Sequence, residues 1–183
     1  MDLGLEMKFC RADAPLVVKD DMVIEGYASL FGHEDRGRDV VAKGAYAASL
    51  KALTEAGRNV KMLWQHDPAQ PIGVWDEVRE DARGLYVKGR LLPGVARAEE
   101  AAALIRAGAI EGLSIGYRTR RATKDANGRR QLDEIELWEV SLVTFPMLPE
   151  ARVGQKGEQP DDLILRELAA AIDEARRDLR PVA

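Results

Sequence analysis

A serine hydroxyl becomes a useful nucleophile only when a neighbouring group accepts its proton, and this sequence holds just two histidines able to do so, His33 and His66. Ser114 stands apart from the other serines because it lies in Gly112-Leu113-Ser114-Ile115-Gly116, a G-x-S-x-G run. Such a run invites the nucleophile elbow of the α/β-hydrolases, in which a strand precedes the serine and a helix follows it. Here the order is reversed: a stretch of Ala, Glu, Leu and Arg with helix-forming character occupies residues 96–107, and strand-like sequence follows Ser114. The hydrolase chain order of serine, acid, histidine is also unavailable, because no histidine follows His66. The α/β-hydrolase reading is excluded, and a serine served by an upstream histidine is left.

His66 is the better base. It ends the apolar run Leu63-Trp64-Gln65-His66-Asp67, where a sheet can fix its position, whereas His33 lies among charged loop residues. A third group should orient the imidazole and stabilise its charged form. Glu139 interrupts Leu137-Trp138-Glu139-Val140-Ser141-Leu142-Val143, a nearly apolar strand, and a carboxylate buried there costs several kcal/mol, roughly, unless it is paired. A protonated histidine would be that partner; the alternatives are that Glu139 faces solvent on an edge strand or pairs with an arginine such as Arg118. The order His66, Ser114, Glu139 is neither that of the α/β-hydrolases nor that of subtilisin. The chymotrypsin order would need an acid between residues 66 and 114, where Asp67, Asp76, Glu77, Glu80 and Asp81 fall in turns or polar hairpin positions.

These residues need a sheet to hold them. Residues 22–30 have strand character, and 31–37 form a polar loop. Tyr46, Leu50 and Leu53 recur at helical spacing over 44–57, with Gly57 as a left-handed stop. Residues 59–65 alternate, with Val60, Met62 and Trp64 on one face, and His66-Asp67-Pro68 ends that strand. Residues 72–79 and 85–92 are joined by the charged turn 80–84, which predicts a β-hairpin; Leu85, Val87, Gly89 and Leu91 share one face. Residues 96–107 predict a helix stopped by Gly108. Residues 118–122 and 131–145 predict strands joined by a turn at 125–128, and 137–143 reads as a central strand buried on both faces. Residues 154–160 form a polar linker, and 161–180 an amphipathic helix with Ile164, Leu168, Ile172, Ala175 and Leu179 in a narrow stripe.

Composition narrows the function further. With 183 residues, 46% of them apolar, the chain can build one sizeable core. Its 27 basic and 31 acidic residues, net −4, supply no broad basic surface for nucleic acid or anionic membrane. The single cysteine, Cys10, cannot form an internal disulfide. The first nine residues lack a signal-peptide pattern and no stretch is apolar enough to span a bilayer; a soluble, non-secreted protein of a reducing compartment is expected. No metal or organic cofactor is expected either, since His33, Glu34 and Asp35 fit a solvated loop better than a ligand set.

Five segments together resemble the prohead (capsid maturation) proteases of tailed phages and related gene-transfer particles. They are Gly26-Tyr-Ala-Ser-Leu-Phe-Gly32, Asp39-Val-Val-Ala-Lys-Gly-Ala-Tyr46, Leu63-Trp-Gln-His-Asp67 with Pro71-Ile-Gly73, Ala107-Gly-Ala-Ile-Glu-Gly-Leu-Ser-Ile-Gly-Tyr117, and Leu137-Trp-Glu-Val-Ser-Leu-Val-Thr-Phe-Pro146. They occur in the family's order. The resemblance places the family's histidine on His66, its serine on Ser114 and its acid on Glu139. It implies an α+β fold similar to the herpesvirus assembly proteases, a small, mostly antiparallel β-barrel flanked by helices, in which a histidine is the third triad member. It implies a protease domain over 1–153, a linker over 154–160 and a C-terminal helical tail over 161–183, which would dock on scaffold or capsid chains or be a plain tail. The activity implied is that of a serine endopeptidase that cuts the major capsid protein's scaffolding segment and itself inside assembling procapsids in the bacterial cytoplasm. In the similar viral enzymes dimerisation switches activity on, so a homo-oligomer is compatible with the resemblance. Oxyanion donors would come from residues 144–150, where Pro146 and Pro149 cannot donate. A procapsid assembly or scaffolding protein that keeps the fold without activity is the competing expectation.

Overall fold

The computed structural model describes residues 5–10, 17–18, 22–35, 37–124 and 128–144, all within the first of the chain's two units, Met1–Val153. The expectations for residues 145–183, including the linker, the terminal helix and most of the oxyanion segment, lie outside the described residues.

Among the described residues, nine strands and two helices run in the order β1 (Glu6–Cys10), β2 (Val17–Val18), β3 (Val23–Leu30), β4 (Asp39–Val41), α1 (Ala47–Glu55), β5 (Lys61–Trp64), β6 (Asp67–Glu80), β7 (Gly84–Leu91), α2 (Ala96–Arg106), β8 (Gly112–Lys124) and β9 (Arg130–Val143). They make one sheet ordered β1-β8-β9-β5-β6-β7-β3-β2, with β4 added to β9. The sheet curls until β1 comes against β3, but among the described residues no ladder joins its two ends. A curled half-barrel with two helices therefore stands where the resemblance implied a small, mostly antiparallel β-barrel flanked by helices. Pairing is mostly antiparallel; the exceptions are β4 and β5, both parallel to β9.

Alternation explains which face is dry. In β7, Leu85, Val87 and Leu91 are fully buried while Lys88 and Arg90 are exposed, and Ile24, Met62, Ile72, Leu113, Ile115, Val140 and Leu142 complete the core from neighbouring strands. Both helices end on a left-handed glycine, Gly57 and Gly108, as the sequence predicts. Helix α1 starts at Ala47 rather than near Gly44, because Gly44 has φ +88°, which no right-handed helical residue adopts.

Two differences bear on the site. Strand β6 begins at Asp67, immediately after a two-residue turn, so His66 does not close a strand but sits in a hairpin between β5 and β6. Pro68 and Pro71 lie in this early part of β6, and the β5–β6 register shifts there, since proline cannot donate to a regular ladder. The short strands β1 and β4 carry no strong local signal. Arg130 ties them to the sheet, reaching Glu6 at 2.7 Å, Asp39 at 3.1 Å and Thr119 at 2.7 Å. Burial alone would raise the Glu6 carboxyl, yet the hydrogen bonds from Arg130 and Thr119 bring it below its ordinary value.

Candidate active site

The site is assembled on β9. Strands β8 and β9 pair with Ser114 opposite Ser141 and Gly116 opposite Glu139. Directly opposite residues in an antiparallel pair project to the same face, so the four positions make a small square, with side chains at Ser114, Ser141 and Glu139 and a bare corner at Gly116. Strand β5 lies on the other edge of β9, with Leu63 opposite Ser141 and Trp64 opposite Leu142. The turn that follows β5 therefore arrives over the same square.

That turn is strained. Gln65 and His66 have φ of 52° and 62°, the left-handed region that residues with side chains avoid at a cost of about 1–2 kcal/mol each. A two-residue hairpin turn with both φ positive normally uses Asn-Gly or a similar pair. Here bonds to the end of β9 compensate: Gln65 N donates to the Leu142 carbonyl at 2.9 Å, Gln65 Nε2 to Thr144 Oγ1 at 2.6 Å, and His66 N to Ser141 Oγ at 3.2 Å.

With its backbone so held, the His66 ring spans the square. Nε2 lies 2.6 Å from Ser114 Oγ and Nδ1 lies 2.5 Å from Glu139 Oε1. The second carboxylate oxygen, Oε2, accepts from Ser141 Oγ at 2.5 Å. An ionised carboxylate only accepts, so Glu139 assigns the ring proton to Nδ1 and leaves Nε2 as the acceptor facing Ser114. The group is buried: Ser114 and Ser141 are wholly so and Glu139 is 4% exposed. On the same strand, burial pushes the Tyr117 hydroxyl well above its ordinary value, helped by the negative charges of Glu6 and Asp39.

Gly116 is a structural requirement of this arrangement. A Cβ there would fall 2.1 Å from Glu139 Oε1 and 2.8 Å from Cδ, so only glycine leaves room for the carboxylate to reach His66.

All three residues singled out from sequence, His66, Ser114 and Glu139, thus meet in one hydrogen-bonded chain. The competing assignments lie elsewhere. Arg118 stacks over the Trp138 ring at 4.6 Å, and His33 is exposed. Among the upstream acids, Asp76 faces Arg90, Glu77 and Asp81 hold Arg79, Glu80 accepts from Tyr46 N, and Asp67 accepts from Ala69 N. Sequence reasoning missed Ser141 and the purpose of Gly116. The signal for Ser141 was present, since a residue two positions along a strand from Glu139 must share its face. Among the described residues no group of His, Cys, Asp and Glu is placed to hold a metal, and no helix is long and apolar enough to cross a membrane.

A half-barrel that carries a buried Ser–His–Glu chain across two strands and a hairpin defines a serine-hydrolase-like site. The sequence matches the family described as caudovirus prohead serine protease over residues 11–162, and the chain belongs to that family. It is 35% identical over 135 residues to the prohead protease of Enterobacteria phage HK97, an alignment spanning 72% of this chain and 59% of that protein. It is also 35% identical over 160 residues to the capsid polyprotein of Pseudomonas phage PAJU2, spanning 80% of this chain and 22% of the polyprotein. The chain thus spans less than two thirds of either relative's length. Among solved structures, the bacteriophage T4 capsid assembly protease matches with a TM-score of 0.63 at 18% identity, covering 76% of this chain and 96% of that one. This last likeness concerns the fold.

Proposed function

We propose that this chain is a serine endopeptidase of capsid maturation, which cuts capsid or scaffold protein, and itself, inside an assembling procapsid. The observation that carries the reading is the unbroken contact from Ser114 Oγ through the His66 ring to Glu139. Family membership and relatives described as a prohead protease and a capsid polyprotein support the substrate class.

In this reading Ser114 Oγ attacks the scissile carbonyl carbon while His66 Nε2 takes its proton. The tetrahedral intermediate collapses as the same proton passes to the departing amine, leaving an ester on Ser114. His66 then removes a proton from water, the hydroxide displaces the serine, and the proton returns to Oγ. Glu139 keeps Nδ1 protonated and balances the positive charge that forms on the ring in each half-reaction. The fold would correspond to the barrel of the herpesvirus assembly proteases, with Glu139 standing where those enzymes use a histidine.

The competing reading, an assembly protein without activity, gives no reason to retain a strained turn that aims an imidazole at a serine. The test is expression with the capsid protein of the same system, wild type beside Ser114→Ala, with the masses of both proteins followed in time. Wild type is expected to trim the capsid protein and itself, with self-cleavage falling in the proposed linker, residues 154–160, between a catalytic unit over 1–153 and a tail over 161–183. Ser114→Ala is expected to trim neither. Equal behaviour of the two forms would favour the assembly reading, and a self-cleavage site within residues 1–153 would contradict the domain boundary.

A further inference from the structure

The buried Ser141 hydroxyl has one proton to give and gives it to Glu139 Oε2. Its contact with the His66 backbone N–H, at 3.2 Å, therefore uses a lone pair. Joined to the bond between Nδ1 and Glu139 Oε1, these contacts close a ring. The ring leaves His66 at its backbone N–H, passes through Ser141 and both carboxylate oxygens, and returns to the side chain of His66.

We propose that Ser141 is a positioning residue of the peptidase reaction, coupling the strained turn that carries His66 to the carboxylate that orients its ring. The proposal deepens the catalytic reading of Ser114, His66 and Glu139 and rests on it. Two features argue that the hydroxyl is there for its bonds. Ser141 is wholly buried between Val140 and Leu142, which are equally buried, a setting where an apolar side chain would avoid the desolvation of a hydroxyl. And Gln65 holds φ 52°, which turns the following peptide out of the strand direction, and the His66 N–H in that peptide meets Ser141 Oγ. Without that oxygen, the N–H and Oε2 each lose a buried partner. The carboxylate is then free to rotate about its terminal bond, and Nε2 loses its aim at Ser114.

The test uses a fluorophosphonate, which bonds to an activated serine with loss of fluoride and so needs no knowledge of the natural cleavage site. Ser141→Ala is expected to slow the saturating rate of modification about 10- to 100-fold, with the half-saturating concentration little changed. Ser141→Thr, which keeps the hydroxyl, is expected to recover most of the rate. In parallel, the low-field proton resonance of His66 Nδ1–H is expected in Ser114→Ala protein and lost in the Ser114→Ala/Ser141→Ala double variant. A folded Ser141→Ala protein with unchanged rate and an intact resonance would overturn the proposal. Should Ser141→Ala not fold, the threonine variant decides: rate and resonance retained support it, resonance lost in a folded protein overturns it. If Ser114→Ala kept its peptidase activity, the catalytic reading would fall, while the resonance would still report whether Ser141 orders the ring.

Discussion

Glu139→Gln is expected to leave a folded protein whose turnover is lower by roughly 10⁴-fold, a loss of about 5 kcal/mol in transition-state stabilisation. The substitution preserves shape but removes charge, and the amide has two ways to fit, both poor. If its oxygen faces Nδ1, the correct tautomer survives but the developing imidazolium has no counter-charge in a buried setting where such a charge is costly. If its NH₂ faces Nδ1, that nitrogen must accept, the ring proton moves to Nε2, and the group facing Ser114 can no longer take a proton. The measurement is single-turnover cleavage of a peptide covering a bond the enzyme cuts, with thermal unfolding run beside it. A loss smaller than about tenfold with folding intact would mean that Glu139 is a buried polar residue satisfied by its neighbours and not the orienting acid.

Gly116→Ala should have the next largest effect although it touches no reacting atom. The added Cβ cannot coexist with Glu139 Oε1 at 2.1 Å, Cδ at 2.8 Å and Cγ at 2.9 Å, so the carboxylate must swing away and its bond to Nδ1 breaks. Displacing a catalytic group by about 1 Å costs on the order of 100-fold in rate, and overpacking a closed site costs about 1–3 kcal/mol of stability. The clash predicts its own signature. In a Glu139→Ala background the same alanine meets no carboxylate, so its further effect on rate should be small, and the two substitutions should be strongly non-additive. Gly26→Ala is the matched control, because a Cβ there meets nothing nearer than Leu113 Cδ1 at 3.6 Å. If Gly116→Ala behaved like Gly26→Ala in rate and in melting temperature, the account of why glycine stands at 116 would be wrong.

The three principal residues were legible in sequence because each is conspicuous by chemistry: one of two histidines, a serine flanked by glycines, and a carboxylate inside an apolar strand. What stayed hidden depends on pairing. Parallel contacts of β5 and β4 with β9 join residues 78 and 91 positions apart, as Leu63 opposite Ser141 and Asp39 opposite Arg130 illustrate, and nothing in either segment specifies the other's register beyond its buried face. The hairpin at Gln65 and His66 was read as a strand end because neither residue belongs to the Gly, Asn and Asp set that marks such turns. Its conformation is imposed by bonds to β9, so tertiary contacts override local preference at the turn that carries the His66 ring. Strand β1 escaped notice for a related reason: Glu6 to Cys10 pairs along β8 from Tyr117 to Leu113, a partner more than a hundred residues away. The mostly antiparallel sheet and its helices agree with the fold the resemblance implied, while the extent of its curl, a half-barrel, could not be read locally.

The most direct measurement is to treat the protein with a fluorophosphonate and locate the adduct by peptide mass mapping, using wild type and His66→Ala side by side. The account predicts modification at Ser114 in the wild type and at least about 100-fold slower modification when the imidazole is absent. Label on another serine, or equal labelling of Ser114 with and without His66, would contradict it.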